Sequence, residues 1–193
     1  AARRQDTLRV ALVGYTNAGK SSWMRALTTS TVLVEDKLFA TLDTTVRALF
    51  PAVTPQILIS DTVGFIQRLP HDLVASFRST LAEAKEASLL LHVVDASDPA
   101  FEAQLQLTLE VLDEIGVQDG NSLLVLNKVD CCDAERCSEL VARYPDALLV
   151  SAKRPKDVEE LHRVIAGKFE QLLDDVSLMV PYTQTSMIGE VHK

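Results

Sequence analysis

One segment near the start of the chain constrains its fold more than any other. Residues 14–21 are Gly-Tyr-Thr-Asn-Ala-Gly-Lys-Ser, which matches the phosphate-binding loop (P-loop) pattern G-x-x-x-x-G-K-[ST]. The apolar, β-branched run 8–13 before it predicts a buried strand, and 22–27 after it predicts a helix. Strand, Gly-rich turn and helix form the setting in which this pattern binds a nucleoside triphosphate. The sequence therefore predicts a triphosphate site at the first turn of an α/β fold.

The rest of the chain continues this alternation of apolar runs and helical patterns. Strands are predicted at 8–13, 45–50, 56–60, 88–94, 122–126 and 147–151. Helices are predicted at 71–86, 99–115, 133–143 and 156–172. Pro99 is expected in the first turn of its helix and Gly116 just past the end of that helix. The pattern predicts a three-layer α/β fold of the P-loop NTPase type, a six-stranded, mostly parallel sheet flanked by helices.

Composition narrows the class of protein. The 193 residues are 47% hydrophobic, which suits one globular domain, and no apolar run approaches the ~18 residues of a membrane span. A net charge of −8 argues against binding nucleic acid through bulk electrostatics. The three cysteines lie within 131–137 with no second ligand pair and no nearby His, which favours reduced thiols of a cytoplasmic protein over a zinc site.

The domain boundaries are predicted from where this pattern starts and ends. The chain lacks an initiator Met, and we interpret it as a piece of a longer protein. Residues 1–7 are expected to be a linker remnant, 8–173 the nucleotide-binding domain, and 174–193 the start of a truncated C-terminal region. Residues 28–45 are rich in Thr and have no clean period, and long irregular segments of this kind are often functional.

Three short motifs narrow the triphosphate to GTP, each at the carboxyl end of a predicted strand. Residues 61–64, Asp-Thr-Val-Gly, can hold Mg²⁺ through the carboxylate and bring a backbone N–H to the γ-phosphate. Residues 127–130, Asn-Lys-Val-Asp, offer a carboxylate to N1 and the 2-amino group of guanine, and adenine lacks that amino group. In 151–153, Ser-Ala-Lys, a backbone N–H can meet guanine O6. Each motif alone also occurs in structural turns, but their joint order favours a GTP site.

These motifs resemble those of the TRAFAC-class GTPases, and the finer sequence is similar to the HflX family. The similarity spans residues 8–172, and its hallmarks are the P-loop, 38–45, 61–66, 69–71 and 91–95. The most family-specific stretch is 39–43, Phe-Ala-Thr-Leu-Asp, because other GTPases carry different switch I sequences. One departure is Ser-Trp-Met at 22–24, where Thr-Leu-hydrophobic is usual. The resemblance implies that 8–173 is an HflX-type G domain.

The phosphates and the metal ion are expected to be held by the P-loop and the two switch segments. Lys20 is expected to bridge the β- and γ-phosphates, and Ser21 to ligate Mg²⁺. By resemblance, Thr41 of switch I completes the Mg²⁺ shell, Asp61 fixes Mg²⁺ in its second shell, and Gly64 senses the γ-phosphate.

The base is expected to contact Asn127 and Asp130, with the stem of Lys128 stacked under it; the alternative for Lys128 is a solvated loop lysine. The full set of residues expected to bind GTP or GDP is Gly14, Tyr15, Thr16, Asn17, Ala18, Gly19, Lys20, Ser21, Ser22, Phe39, Ala40, Thr41, Leu42, Asp43, Asp61, Thr62, Val63, Gly64, Asn127, Lys128, Val129, Asp130, Ser151, Ala152 and Lys153.

The pattern lacks the usual catalytic glutamine, since Phe65 stands where Ras-like proteins carry the glutamine that orients water. Gln67 and His71 are weaker candidates, each more readily explained as a structural residue. Asn17 resembles the P-loop Asn of GTPases that recruit K⁺ beside the phosphates, and the alternative is that it only caps the loop. The sequence therefore predicts slow intrinsic hydrolysis that rests on Lys20, Thr41, Gly64 and Asn17.

The resemblance implies a partner and a place of action. HflX-family members bind the ribosome, chiefly its large subunit, and can split or rescue stalled ribosomes. They carry an N-terminal domain that would precede residue 1, so binding to the ribosome is expected to need that domain. The chain itself is expected to be a cytoplasmic monomer. The alternatives are another ribosome-assembly or tRNA-modification GTPase, or a nucleotide-gated binding module with negligible hydrolysis.

Overall fold

A single six-stranded sheet organises the chain in a computed structural model, which describes residues 8–28, 45–61, 84–85, 87–114, 116–117 and 121–170. The strands are β1 Leu8–Val13, β2 Thr45–Ala48, β3 Ile57–Asp61, β4 Leu89–Asp95, β5 Ser122–Asn127 and β6 Leu148–Leu149. Their order is β2-β3-β1-β4-β5-β6, and every neighbouring pair is parallel except β2 and β3. The predicted six-stranded, mostly parallel sheet is confirmed.

Helices cover both faces of this sheet. They are α1 Lys20–Leu27, α2 Phe101–Glu114, α3 Ala134–Arg143 and α4 Pro155–Glu170, with a short 3₁₀ turn at Val129–Cys131. Alternate residues of the central strands face opposite layers. On one face, Leu12 and Leu91 share a core with Trp23 of α1 and Leu161 of α4. On the other face, the strand residues that alternate with these pack against α2 and α3. The molecule therefore has the predicted three layers.

The two central strands, β1 from Val10 onward and β4, are buried on both faces, as strands of a parallel sheet usually are. In β4 every side chain from Leu89 to Val94 is buried, including that of His92. Burial, together with a smaller effect of the nearby Lys20 charge, lowers the pKa of His92 to about 4. His92 is therefore neutral at physiological pH, so the interruption it makes in the apolar run does not bring a charge into the core.

Several predicted boundaries are wrong by one or two residues. The first helix begins at Lys20 rather than 22, β2 ends at Ala48 rather than 50, and β6 shrinks from 147–151 to Leu148–Leu149. The last of these occurs because β6 is an edge strand that pairs with β5 at only two positions. No helix in the part of the chain that the structure describes is both long and apolar enough to cross a membrane.

The helix after β4 begins two residues later than predicted. Its first helical residue is Phe101, so Pro99 lies in the preceding turn rather than in the first turn of the helix. The Asp98 carboxylate accepts a 2.8 Å hydrogen bond from the Ala100 N–H, and the Asp98 carbonyl accepts one from Phe101. The Asp98 side chain and carbonyl thus hold the turn that leads into the helix. At the other end, Gly116 follows the helix with φ of +74°, as predicted.

Several predicted segments lie outside the described residues. They are the linker remnant 1–7, the irregular segment 28–45 apart from its two ends, the helix 71–86 apart from residues 84–85, and the tail 174–193. The boundaries proposed at residues 7 and 173 stay predictions.

Candidate nucleotide-binding site

Two glycines fix the path of the P-loop between β1 and α1. Gly14 has a φ of +145°, and a Cβ on it would lie 2.1 Å from the carbonyl oxygen of Val93 in β4. Gly19 has a φ of +101°, and its Cβ would lie 2.2 Å from Nδ2 of Asn127. Any side chain is strained at such φ values, and neither position has space for one. The close approach of the loop to β4 and to the end of β5 therefore requires both glycines.

The amino end of α1 is left open to an anion. Gly19 occupies the N-cap position without a side chain to cap the helix, and the first turn contains no acidic residue. Asn17 has a φ of 64°, a left-handed conformation that Asn tolerates better than most residues. Backbone N–H groups at a helix amino terminus favour phosphate through hydrogen bonds and the helix dipole. The loop thus joins a strand to a helix as predicted, and phosphate binding by its backbone N–H groups stays a prediction.

Lys20 is buried beneath this loop, with only 6% of its surface exposed. Its Nζ donates 3.0 Å hydrogen bonds to the carbonyl oxygens of Gly14 and Tyr15. Burial lowers the pKa of Lys20 to about 8, against the opposing effect of the Asp61 carboxylate. Burial disfavours the charged ammonium because it removes water. A phosphate group beside the ammonium would stabilise that charge, so nucleotide binding should raise the pKa of Lys20 again.

The affinity for GDP is therefore expected to fall as pH rises. Between pH 7 and 9 the free protein loses most of the charge on Lys20, so binding requires proton uptake and affinity drops about tenfold. The measurement is GDP affinity across this pH range at constant ionic strength. Lys20→Arg is the matched control, because its guanidinium stays charged and its profile should be flat. A flat profile for the unsubstituted chain would contradict the proton uptake.

Ser21 and Asp61 form a site that fits a divalent cation. The Ser21 hydroxyl donates a 2.9 Å hydrogen bond to Oδ2 of Asp61, while Oδ1 is buried and lacks a hydrogen-bond partner within the described part of the chain. Burial raises the pKa of Asp61, and the Ser21 hydrogen bond, Lys20 and Arg47 oppose that rise. A buried carboxylate oxygen left unpaired beside a hydroxyl is a suitable environment for Mg²⁺. Elsewhere in the described ranges, no group of three or more His, Cys, Asp or Glu could hold a metal ion.

Asn127 connects the phosphate side of the site to the base side. Its buried side chain donates a 2.7 Å hydrogen bond from Nδ2 to the carbonyl oxygen of Ala18 in the P-loop. Its Oδ1 accepts a 3.3 Å hydrogen bond from the N–H of Ala152, in the loop after β6. One side chain at the end of β5 therefore holds the P-loop and the 151–153 loop in fixed relative positions.

Asp130 is held by the same loop. Its Oδ1 accepts a 2.6 Å hydrogen bond from the Ser151 hydroxyl, and its Oδ2 lies 3.3 Å from Nζ of Lys153. The Ser151 hydrogen bond is the main cause that lowers the pKa of Asp130, and Lys153 contributes further. The carboxylate is therefore ionised and held in one orientation.

Two acidic residues outside the predicted set support this region. Asp95, at the end of β4, lies 2.6 Å from Nζ of Lys128, and Asp157, in the first turn of α4, accepts a 2.8 Å hydrogen bond from the Ser151 N–H. In the sequence, Asp95 stands out only as part of the hallmark segment 91–95. Its position at the carboxyl end of a buried central strand, the edge where ligands bind, was the signal that could have singled it out.

The structure brings the P-loop, Asp61, 127–130 and 151–153 together at the carboxyl edge of the sheet. The other residues predicted to bind nucleotide or to act in catalysis lie outside the described residues: Phe39, Ala40, Thr41, Leu42, Asp43, Thr62, Val63, Gly64, and with them Phe65, Gln67 and His71. Their roles stay predictions.

The fold, together with the glycine-rich loop between β1 and α1, defines a protein of the P-loop class. The sequence profile of the 50S ribosome-binding GTPase family matches residues 9–128. The chain is 60% identical over 190 residues to the GTPase HflX of Gluconacetobacter diazotrophicus, covering 98% of the chain and 42% of that protein. It is 37% identical to the GTPase HflX of Escherichia coli K12, covering 92% and 42%. The chain therefore belongs to the 50S ribosome-binding GTPase family and, within it, to the HflX GTPases.

A solved structure shows the same fold. The GTP-binding protein from the archaeon Sulfolobus solfataricus, in complex with GDP, is 31% identical, with a TM-score of 0.67 over 86% of this chain and 53% of that one. The chain spans less than half the length of the HflX proteins named above.

Proposed function

We propose that this chain binds GTP with Mg²⁺ and hydrolyses it slowly, as the nucleotide switch of a cytoplasmic GTPase that acts on the large ribosomal subunit. The observation that carries the proposal is the ionised Asp130, oriented by Ser151 on a loop that Asn127 ties to the P-loop. The family to which the chain belongs supports the ribosomal partner, because it is described as 50S ribosome-binding.

The residues at the phosphate end would act mainly by orientation and charge. Lys20 would exchange the carbonyl oxygens of Gly14 and Tyr15 for phosphate oxygens, and its ammonium would balance negative charge as the γ-phosphate leaves. Ser21 and Asp61 would hold Mg²⁺, which when bound neutralises charge on the β- and γ-phosphates. Asn127 would keep the base and the phosphates at a fixed separation.

Hydrolysis is tested by phosphate release from GTP and from ATP, with and without large ribosomal subunits. The same measurement on a longer protein that includes an N-terminal domain tests whether that domain supplies ribosome binding. We expect slow release from GTP and a large increase with ribosomal subunits for the longer protein. ATP turnover equal to that of GTP would overturn the role of Asp130, and no stimulation of the longer protein would overturn the ribosomal role.

A second test concerns K⁺ and Asn17. The left-handed φ of 64° is by itself a reason for Asn at position 17, so a role of its side chain in K⁺ binding needs a separate test. Asn17→Gly keeps the left-handed backbone accessible and removes only the side chain. If Asn17 recruits K⁺, GTP turnover in K⁺ exceeds that in Na⁺ at equal ionic strength, and Asn17→Gly loses the difference. Equal rates in the two salts would remove the potassium hypothesis.

Removing the Asp61 charge is expected to weaken GTP binding only when Mg²⁺ is present. Asp61→Asn should lower affinity about tenfold in Mg²⁺ and leave it nearly unchanged in EDTA, because the carboxylate acts through the ion. Since burial already disfavours the charged form of Asp61, thermal denaturation of the nucleotide-free protein should not move to lower temperature. Equal losses with and without Mg²⁺ would instead assign Asp61 a purely structural role.

A further inference from the structure

An ion pair joins the base-binding motif to the end of the neighbouring strand. Nζ of Lys128 lies 2.6 Å from Oδ2 of Asp95, and the exposed fractions of the two side chains are 32% and 15%. Asp95 and Asn127 are register partners in the β4–β5 pair, so Lys128 reaches sideways across the carboxyl edge of the sheet. The lysine side chain is therefore held at both ends, by its own backbone and by the Asp95 carboxylate.

The backbone at Lys128 is itself unusual. Its φ of 64° and ψ of 31° are left-handed, a conformation that costs energy for a long side chain. The Lys128 carbonyl accepts a 2.9 Å hydrogen bond from the N–H of Cys131, which holds the turn in this conformation. Strained backbone of this kind persists where the surrounding structure enforces it, most often at functional sites. Here it sets the direction in which the lysine leaves the strand.

Asp95 is in turn fixed by its own neighbours. Its Oδ1 accepts hydrogen bonds from the N–H of Ser97 at 3.0 Å and from the Ser97 hydroxyl at 2.6 Å. The other nearby carboxylate, Asp98, is already engaged by Ala100 and Gln104. Asp95 thus presents Oδ2 to Lys128 in one orientation.

We propose that Asp95 is a positioning residue for guanine-nucleotide binding, and that it acts by holding the methylene stem of Lys128 as a preformed apolar surface for one face of the base. Methylene stems of lysine commonly cover apolar surfaces while the ammonium finds a polar partner. Without Asp95 the free lysine samples many rotamers, and binding must pay the entropy of selecting one. The inference rests on the proposed binding of guanine nucleotides.

The test is a double-mutant cycle on GDP affinity, with N-methylanthraniloyl-GDP as the fluorescent probe. Asp95→Asn keeps an oxygen for Ser97 and removes only the charge that attracts Lys128. Lys128→Met keeps a flexible apolar stem and has no charge to hold. We expect Asp95→Asn to weaken GDP binding about three- to tenfold in the unsubstituted chain, and to have no effect in the Lys128→Met background.

Equal weakening in both backgrounds would overturn the inference, because Asp95 would then act on the β4 end and not through Lys128. No weakening in the unsubstituted chain would overturn it as well. Thermal denaturation without nucleotide should give similar midpoints for the chain and for Asp95→Asn, which separates loss of positioning from loss of folding. If the unsubstituted chain binds no GDP, the proposed function fails before the cycle begins, so the two failures are distinguishable.

Discussion

Asp130→Asn is expected to lower the affinity for GDP about 100-fold or more, and to give a protein that prefers xanthine nucleotides. The carboxylate is ionised, and its two oxygens can accept hydrogen bonds from N1 and the 2-amino group of guanine. Hydrogen bonds to a charged acceptor are each worth about 1.5–3 kcal/mol, and the amide replaces one acceptor oxygen with a donor that faces the 2-amino group. Xanthine carries an oxygen at that position, so the Asn amide can donate to it.

The measurement is the affinity of each variant for GDP and for xanthosine diphosphate. Asp133→Asn is the matched control, since Asp133 lies in the same loop but caps α3 by accepting a 2.8 Å hydrogen bond from the Arg136 N–H. Asn caps helices as well as Asp does, so this control should change neither affinity nor stability appreciably. Unchanged GDP affinity in Asp130→Asn would show that the base is recognised elsewhere.

The elements that position the site follow from short-range patterns in the sequence. β1 and β4 are mostly apolar, with Arg9 and His92 as interruptions, because both of their faces are largely covered, and such short apolar runs predict a buried strand. The motif residues were found because each ends such a strand. The ends of the elements were predicted less well, since Asp98 and the short pairing of β6 depend on local hydrogen bonds that periodicity does not record.

The hydrogen bonds and the ion pair that connect one motif to another could not be predicted from the sequence in the same way. Asn127 was expected to contact guanine, and nothing in the sequence indicated its hydrogen bonds to Ala18 and Ala152. These contacts, like the pairing of Asp95 with Lys128, connect segments that are 25 or more residues apart in the chain. They depend on the order of strands in the sheet, which places the end of β5 between β4 and β6. The spacing of the motifs along the chain does not by itself reveal the order of the strands in the sheet.

Gly14→Ala is expected to abolish measurable GDP binding. It should also lower thermal stability more than an alanine substitution at either of the described glycines outside the P-loop, Gly116 and Gly167. The added methyl would lie 2.1 Å from the carbonyl oxygen of Val93, which is backbone in the central strand and cannot rotate away. The φ of +145° adds strain of about 1–3 kcal/mol for a residue with a side chain. Relief of the clash would move the loop that holds Lys20 through the Gly14 carbonyl.

Two other glycines separate clash from strain. Gly167 lies inside α4 with nothing within 4 Å of an added Cβ, so Gly167→Ala should raise stability by about 0.5–1 kcal/mol and leave GDP affinity unchanged. Gly116 also has open space but a φ of +74°, so Gly116→Ala should lower stability by about 1–2 kcal/mol through strain alone, again without loss of GDP binding. If Gly14→Ala behaved like Gly116→Ala and kept its affinity, the P-loop could shift away from β4 without losing the phosphates. The close contact with Val93 would then be a feature of packing and not a requirement for the nucleotide site.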